Sequence, residues 1–290
     1  MAAEPSGSTA TTSPYHPLFN DPAADTVLRS TEGTLFRVPA FVLRRTTGYF
    51  AATLPPPTAA DTEPVPLDEP ASLLAHTLSI LCGLPPPSAA PLDFDTAEAI
   101  LALSERWAAP GAAARVRDAI TGPAFLAEPL RLYVVAVRAG WTDEAHIAAR
   151  GTLVLSLYDE VHHELLRRLP ARDLMALLGL HRRRRDALDR MLRSESTEGV
   201  SAAAVSGCCG ACGLSADNHL WKEYRARIFA EMDIRALGDT VIGSGTDEWR
   251  EALACWNAKC AGAGCGKTIY DRDTILPEIK ACMDRLPDTV

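Results

Sequence analysis

The chain has 290 residues, 47% hydrophobic and 23% charged, which excludes a wholly disordered, fibrous or collagen-like polypeptide. No run of eighteen apolar residues occurs, so the sequence offers no transmembrane helix. A formal net charge of −8 argues against wholesale coating of nucleic acid or of an anionic membrane.

Residues 1–20 are predicted to be a disordered arm: Ala, Ser, Thr and Pro dominate, and an apolar period is missing. The basic start and apolar stretch of a secretory signal are also missing, so an intracellular setting, cytoplasmic or nuclear, is expected. In that setting the eight cysteines are thiols or metal ligands rather than a disulfide framework.

From Asp25 the pattern changes. Thr26-Val27-Leu28 and Leu35-Phe36-Arg37-Val38, separated by a turn containing Gly33, predict a β-hairpin. Val65-Pro66-Leu67 offers a further short strand, which Pro66 confines to an edge. Leu43, Thr47 and Phe50 share one face of a first helix, ended by Pro55-Pro56-Pro57. Leu73, Leu74, Thr77, Leu78 and Leu81 mark a second, stopped at Gly83. Asp95 and Glu98 suggest a capping box for a third, faced by Phe94, Ala97, Ile100, Leu101, Leu103 and Trp107. Pro110-Gly111 breaks the pattern before a short helix over 114–120.

Beyond a boundary near Gly122-Pro123, everything reads as helix. Leu130, Tyr133, Val134 and Val137 form a stripe ending at Gly140, and residues 143–157 and 173–192 give two further amphipathic helices. A Ser-, Glu- and Ala-rich linker is expected over 194–205, and a Cys-containing helical region over 206–290.

Three features of the front third carry a family resemblance. They are Asp25 opening the first strand, the run Phe36-Arg37-Val38-Pro39, and Leu43, Thr47, Tyr49 and Phe50 in the following helix. With Val65-Pro66-Leu67, Leu74 and Leu78-Ser79-Ile80-Leu81, this order resembles a BTB/POZ domain, and the whole chain is similar to a set of fungal BTB proteins of unassigned function. Pro39 stands where that family usually has histidine, and Thr47 where it usually has serine. The resemblance implies an α+β fold, a short sheet capped by helices, over residues 21–122. A mainly helical extension over 123–193 and the Cys-containing helical tail would follow. It also implies binding rather than catalysis: homo- or hetero-oligomerisation through the BTB domain, with a cullin-type ubiquitin ligase as an alternative partner.

The strongest chemical signal is Cys209-Gly210-Ala211-Cys212-Gly213, whose two thiolates can face one Zn²⁺. Zinc prefers four tetrahedral ligands, and Cys260 and Cys265, flanking Ala261-Gly262-Ala263-Gly264, supply the other pair, with Cys255 as reserve. With four sulfurs the metal is structural, because no position is left open for water.

Residues 261–268 also match a relaxed phosphate-loop pattern, but the helix-like stretch before them is not the buried strand that such a loop requires. His162-His163-Glu164 lacks the second histidine of a zinc-protease helix, since Arg167 occupies that place. The cluster His181-Arg182-Arg183-Arg184-Arg185 reads as salt-bridged to Asp186 and Asp189, and Trp221 and Tyr224 as packing against the Cys region. No Ser-His-Asp, paired-carboxylate or Cys-His constellation stands out. The reading is therefore a non-enzymatic interaction protein, with a zinc-stabilised nucleic-acid-associated regulator as the remaining alternative.

Overall fold

The computed structural model describes residues 14–54, 63–88, 92–193, 200, 208–215, 218–243 and 245–290. The chain divides into two compact units, Met1–Phe125 and Leu126–Val290. Strands and helices are both present, as expected, with helices in the majority. No helix among the described residues is long and apolar enough to cross a membrane.

Unit 1 is built on a hairpin. Strand β1 (Thr26–Arg29) pairs antiparallel with β2 (Leu35–Val38), with Leu28 opposite Phe36, and Gly33 takes φ +86° in the connecting turn. Strand β3 (Val65–Pro66) lies parallel to β1, giving the sheet order β2-β1-β3. Pro66 thus sits at an edge, where its missing N–H costs no ladder bond.

The arm expected over 1–20 is corrected for residues 14–20. This segment runs beside the free edge of β2: Leu35 N–H donates to Pro14 O (2.9 Å), and Arg37 N–H donates to Phe19 O (2.9 Å). Phe19 is buried and His16 stacks on Phe36, with ring centroids 5.1 Å apart. These few aromatic contacts and backbone bonds hold a segment that has no sequence period of its own.

Two helices of unit 1 begin directly after a proline, which has no side chain able to cap them. Carboxylates of the hairpin supply the caps. Asp25 Oδ1 accepts from Ala40 N–H (2.6 Å) at the start of α1 (Ala40–Thr46), and Glu32 Oε2 accepts from Ala71 N–H (2.8 Å) at the start of α3 (Ala71–Cys82). The Ala71 N–H holds the Glu32 carboxyl below its usual range.

The first predicted helix is in fact two, α1 and α2 (Gly48–Thr53), broken at Thr47. Thr47 adopts extended backbone; its hydroxyl accepts from Phe50 N–H (3.2 Å) and donates to Leu43 O (2.8 Å). The break frees Gly48 and Tyr49 N–H to donate to Ala108 O and Trp107 O, both at 3.1 Å. A Cβ on Gly48 would come within 2.9 Å of the Ala108 Cβ, so only glycine permits this approach.

Helix α4 (Phe94–Arg106) is capped by Asp93, whose Oδ1 accepts from Thr96 N–H (2.7 Å), and not by the expected Asp95. Helix α5 starts at Pro110 and runs to Ala119, because a proline at the first helical position costs no hydrogen bond. Leu28, Phe36, Leu43, Phe50, Leu74, Leu78, Ile100 and Leu103 form the core of this unit.

The four-residue helix α6 (Pro123–Leu126) precedes the antiparallel pair α7 (Pro129–Ala139) and α8 (Thr142–Gly151). A 3₁₀ turn and α9 (His163–Arg167) lead to the long α10 (Ala171–Arg193). His162 and His163 stand at that turn, and Glu164 pairs with Arg167.

The buried stripe of α10 is Leu177, Leu180, Arg184, Leu188 and Leu192. Arg184 corrects the expected surface cluster: its guanidinium lies inside and donates to Ala236 O (2.9 Å) and Pro287 O (2.8 Å). Beside it, burial and the Arg184 charge push His181 down to about 4. Arg182 and Arg185 do pair with Asp186 (3.5 and 2.8 Å), whereas Asp189 pairs with Arg193 (2.7 Å) and Arg225 (3.7 Å).

Among the described residues, the rest of unit 2 contains α11 (His219–Ile234), α12 (Asp239–Ile242), α13 (Gly245–Glu248), α14 (Arg250–Trp256) and α15 (Arg272–Met283). Leu188 and Leu192 of α10 share one core with Trp221, Tyr224, Cys255, Tyr270 and Ile279, so the described residues of 126–193 and 208–290 pack as a single unit. The linker expected over 194–205 lies, Val200 apart, outside the described residues.

Candidate metal centre

Two small hairpins carry the cysteines, and they are built alike. In the first, Cys208 bridges to Ser215, Cys209 N–H donates to Leu214 O (2.9 Å) and Gly213 N–H donates to Cys209 O (2.8 Å). In the second, Lys259 bridges to Thr268, Cys260 N–H donates to Lys267 O (2.8 Å) and Cys265 N–H donates to Gly262 O (3.0 Å). Each hairpin presents two sulfurs, and a glycine with positive φ follows the second: Gly213 at +70° and Gly266 at +55°.

The sequence-predicted ligands converge. The sulfurs of Cys209, Cys212, Cys260 and Cys265 all lie within 4.8 Å of one another. Cys209 Sγ is 3.6 Å from Cys265 Sγ, and Cys212 Sγ is 3.5 Å from Cys260 Sγ. A tetrahedral ion with metal–sulfur bonds of about 2.3 Å needs its sulfurs about 3.8 Å apart, so the set fits one ion. Disulfides would require about 2.05 Å, and all eight cysteines are free.

Backbone N–H groups surround the sulfurs. Those of Ala211 and Cys212 favour the Cys209 thiolate and hold it down to about 6. The Gly262 N–H, 3.3 Å from Cys260 Sγ, acts in the same sense, but the neighbouring Cys212 sulfur and burial outweigh it and push Cys260 up to about 12. Four sulfurs this close cannot all ionise unless a cation sits among them, and a metal ion resolves that conflict. Gly262 also makes the crowding feasible, because a Cβ there would meet Cys260 Sγ at 3.3 Å and Cys212 Sγ at 3.4 Å.

Cys255, the reserve ligand, is not in this group. It is buried on α14 in the core, and burial raises its thiol to about 12. Cys82 and Cys282 also lie outside the group, and Cys208 is exposed next to it.

The phosphate-loop-like segment turns out to be the second sulfur hairpin. Its Gly262 and Cys265 N–H groups are spent on Cys260 Sγ and Gly262 O, so they form no phosphate cradle. Trp221 and Tyr224 pack as expected beside the Cys region: Trp221 stacks on Tyr270, two residues past Thr268, at 6.3 Å between centroids. The feature that sequence reasoning missed is Arg184, which lies in a run of four arginines that gives no sign of which one points inward.

No protein-family model matches the chain, and no curated protein matches it. Its chemistry is that of its own residues: a closed set of four sulfurs, suited to holding a metal and joining two segments about fifty residues apart.

Proposed function

We propose that this is a non-enzymatic interaction protein in which a BTB/POZ-like unit 1 self-associates and a zinc-stapled helical unit 2 forms a second binding body. The short sheet, the helices α1 to α5 and the order of elements among the described residues of 26–119 support the family reading.

The observation that carries the binding reading is Phe41. It sits on α1 with Ala40 and Leu43 buried beside it, yet its own side chain is 67% exposed, and Tyr49 at the start of α2 is 42% exposed. These exposed aromatic side chains offer apolar surface that a second copy of unit 1 would cover.

Zinc is the ion of choice for the four cysteines, since thiolates select soft or borderline metals and a filled tetrahedron leaves no catalytic position. Light scattering of the purified chain at tens of micromolar tests the association. A dimer that becomes a folded monomer in Phe41→Glu supports the reading, and a wild-type chain that is strictly monomeric overturns it.

A further inference from the structure

The four sulfurs are not equivalent. Two separations that cross from one hairpin to the other are short, 3.6 Å for Cys209–Cys265 and 3.5 Å for Cys212–Cys260. Each pair also joins a more exposed cysteine with a buried one: Cys212 is exposed and Cys260 buried, while Cys265 is half-buried and Cys209 buried. An accessible thiolate beside a protected second thiolate is the arrangement that favours disulfide formation over deeper oxidation.

We propose that the centre is a redox-convertible staple: a hydroperoxide turns it into two disulfides, Cys212–Cys260 and Cys209–Cys265, and the metal leaves. The Cys212 thiolate attacks the peroxide, forming an S–O bond as the O–O bond breaks; the departing oxygen takes a proton and leaves as water or alcohol. The Cys260 thiolate then attacks the Cys212 sulfur, forming the S–S bond as the S–O bond breaks, and hydroxide leaves as water. One hydroperoxide accepts the two electrons lost by that pair, and a second does the same for Cys265 and Cys209. Because both bonds span the hairpins, the segments stay joined in the oxidised state, and a thiol reductant with fresh metal restores the original one.

The released ion rests on the zinc reading above, whereas the pairing rests on the sulfur geometry alone. The test uses the full-length chain, assayed for zinc, exposed to hydrogen peroxide with a chromogenic zinc chelator present, then alkylated and digested with trypsin. Cleavage after Arg193, Lys222, Lys259 and Lys267 places Cys209 and Cys212 in peptide 194–222, and Cys260 and Cys265 in peptide 260–267.

The expected result is zinc release, loss of four of the eight alkylatable thiols, and joining of these two peptides, with partial reduction and differential alkylation assigning the links Cys212–Cys260 and Cys209–Cys265, and the same links in Cys208→Ser. The swapped links Cys209–Cys260 and Cys212–Cys265, a disulfide confined to peptide 194–222, sulfinic or sulfonic products at Cys212, or linkage through Cys208 overturns the proposal. A chain that carries no zinc but gives the links Cys212–Cys260 and Cys209–Cys265 refutes the zinc reading and leaves the pairing standing.

Discussion

Unit 1 and the C-terminal part of unit 2 reach a packed core by different routes. Residues 14–125 use a small sheet and helices whose inner faces carry Leu, Ile and Phe, with carboxylates of the hairpin capping the helix starts. Residues 208–290 pack Trp221, Tyr224, Tyr270 and Cys255 among the 16-residue α11, the 12-residue α15, three helices of four to seven residues and the two sulfur hairpins at Cys208–Ser215 and Lys259–Thr268. Regular elements satisfy their own backbone and bury a continuous face, so ordinary apolar contacts suffice for them. The sulfur hairpins and the helices of four to seven residues leave more chain to order for each buried residue, and a metal held by the four cysteines would offset that entropy.

The comparison breaks most easily at the metal. Removing it with a strong chelator should abolish the near-ultraviolet circular dichroism of the aromatic core of unit 2 and leave the sheet of unit 1 formed. Structural zinc sites contribute on the order of 10 kcal/mol or more to the folded state, well above the margin of an ordinary domain. Loss of both signals together would show that unit 1 depends on the metal as well.

The next largest effect is expected at Arg184. Arg184→Met should destabilise unit 2 by about 3 kcal/mol in denaturant titration, because the carbonyls of Ala236 and Pro287 lose a charged donor inside the fold. Arg184→Lys should rescue little, since an ammonium cannot span carbonyls on two separate segments.

The smallest effect sharpens the account of unit 1. Thr47→Ala removes the cap of α2 and should cost about 1 kcal/mol, with Thr47→Ser close to wild type, as read from urea midpoints. Equal stability of the alanine and serine forms would show that the break between α1 and α2 owes nothing to the hydroxyl.

What was legible in the sequence followed from local pattern. Alternation in Thr26–Leu28 and Leu35–Val38, a glycine between them and Pro66 at an edge sufficed for the sheet. Cysteine spacing with glycines sufficed to pick out the four cysteines whose sulfurs converge. Apart from the cap of α4, which sits two residues from the expected one, the misreadings share a different cause: partners distant in sequence.

Thr47 lies on an unbroken apolar period, and only the approach of Ala108 shows why the helix stops there. Residues 14–20 have no period and are ordered by the edge of β2. Cys255 has the spacing of a ligand but belongs to a helix whose inner face is the core. Arg184 is buried because carbonyls some fifty and one hundred residues further on converge on it, a fact that no window of sequence contains.

The most direct test of the central claim is native mass spectrometry of the purified full-length chain, with X-ray absorption at the zinc edge. The account predicts one zinc per chain, bound by four sulfurs at about 2.3 Å, and no zinc after Cys212 and Cys260 are both replaced by serine. A chain that folds with its aromatic core intact, carries no metal and keeps all eight thiols reactive to alkylation would contradict it.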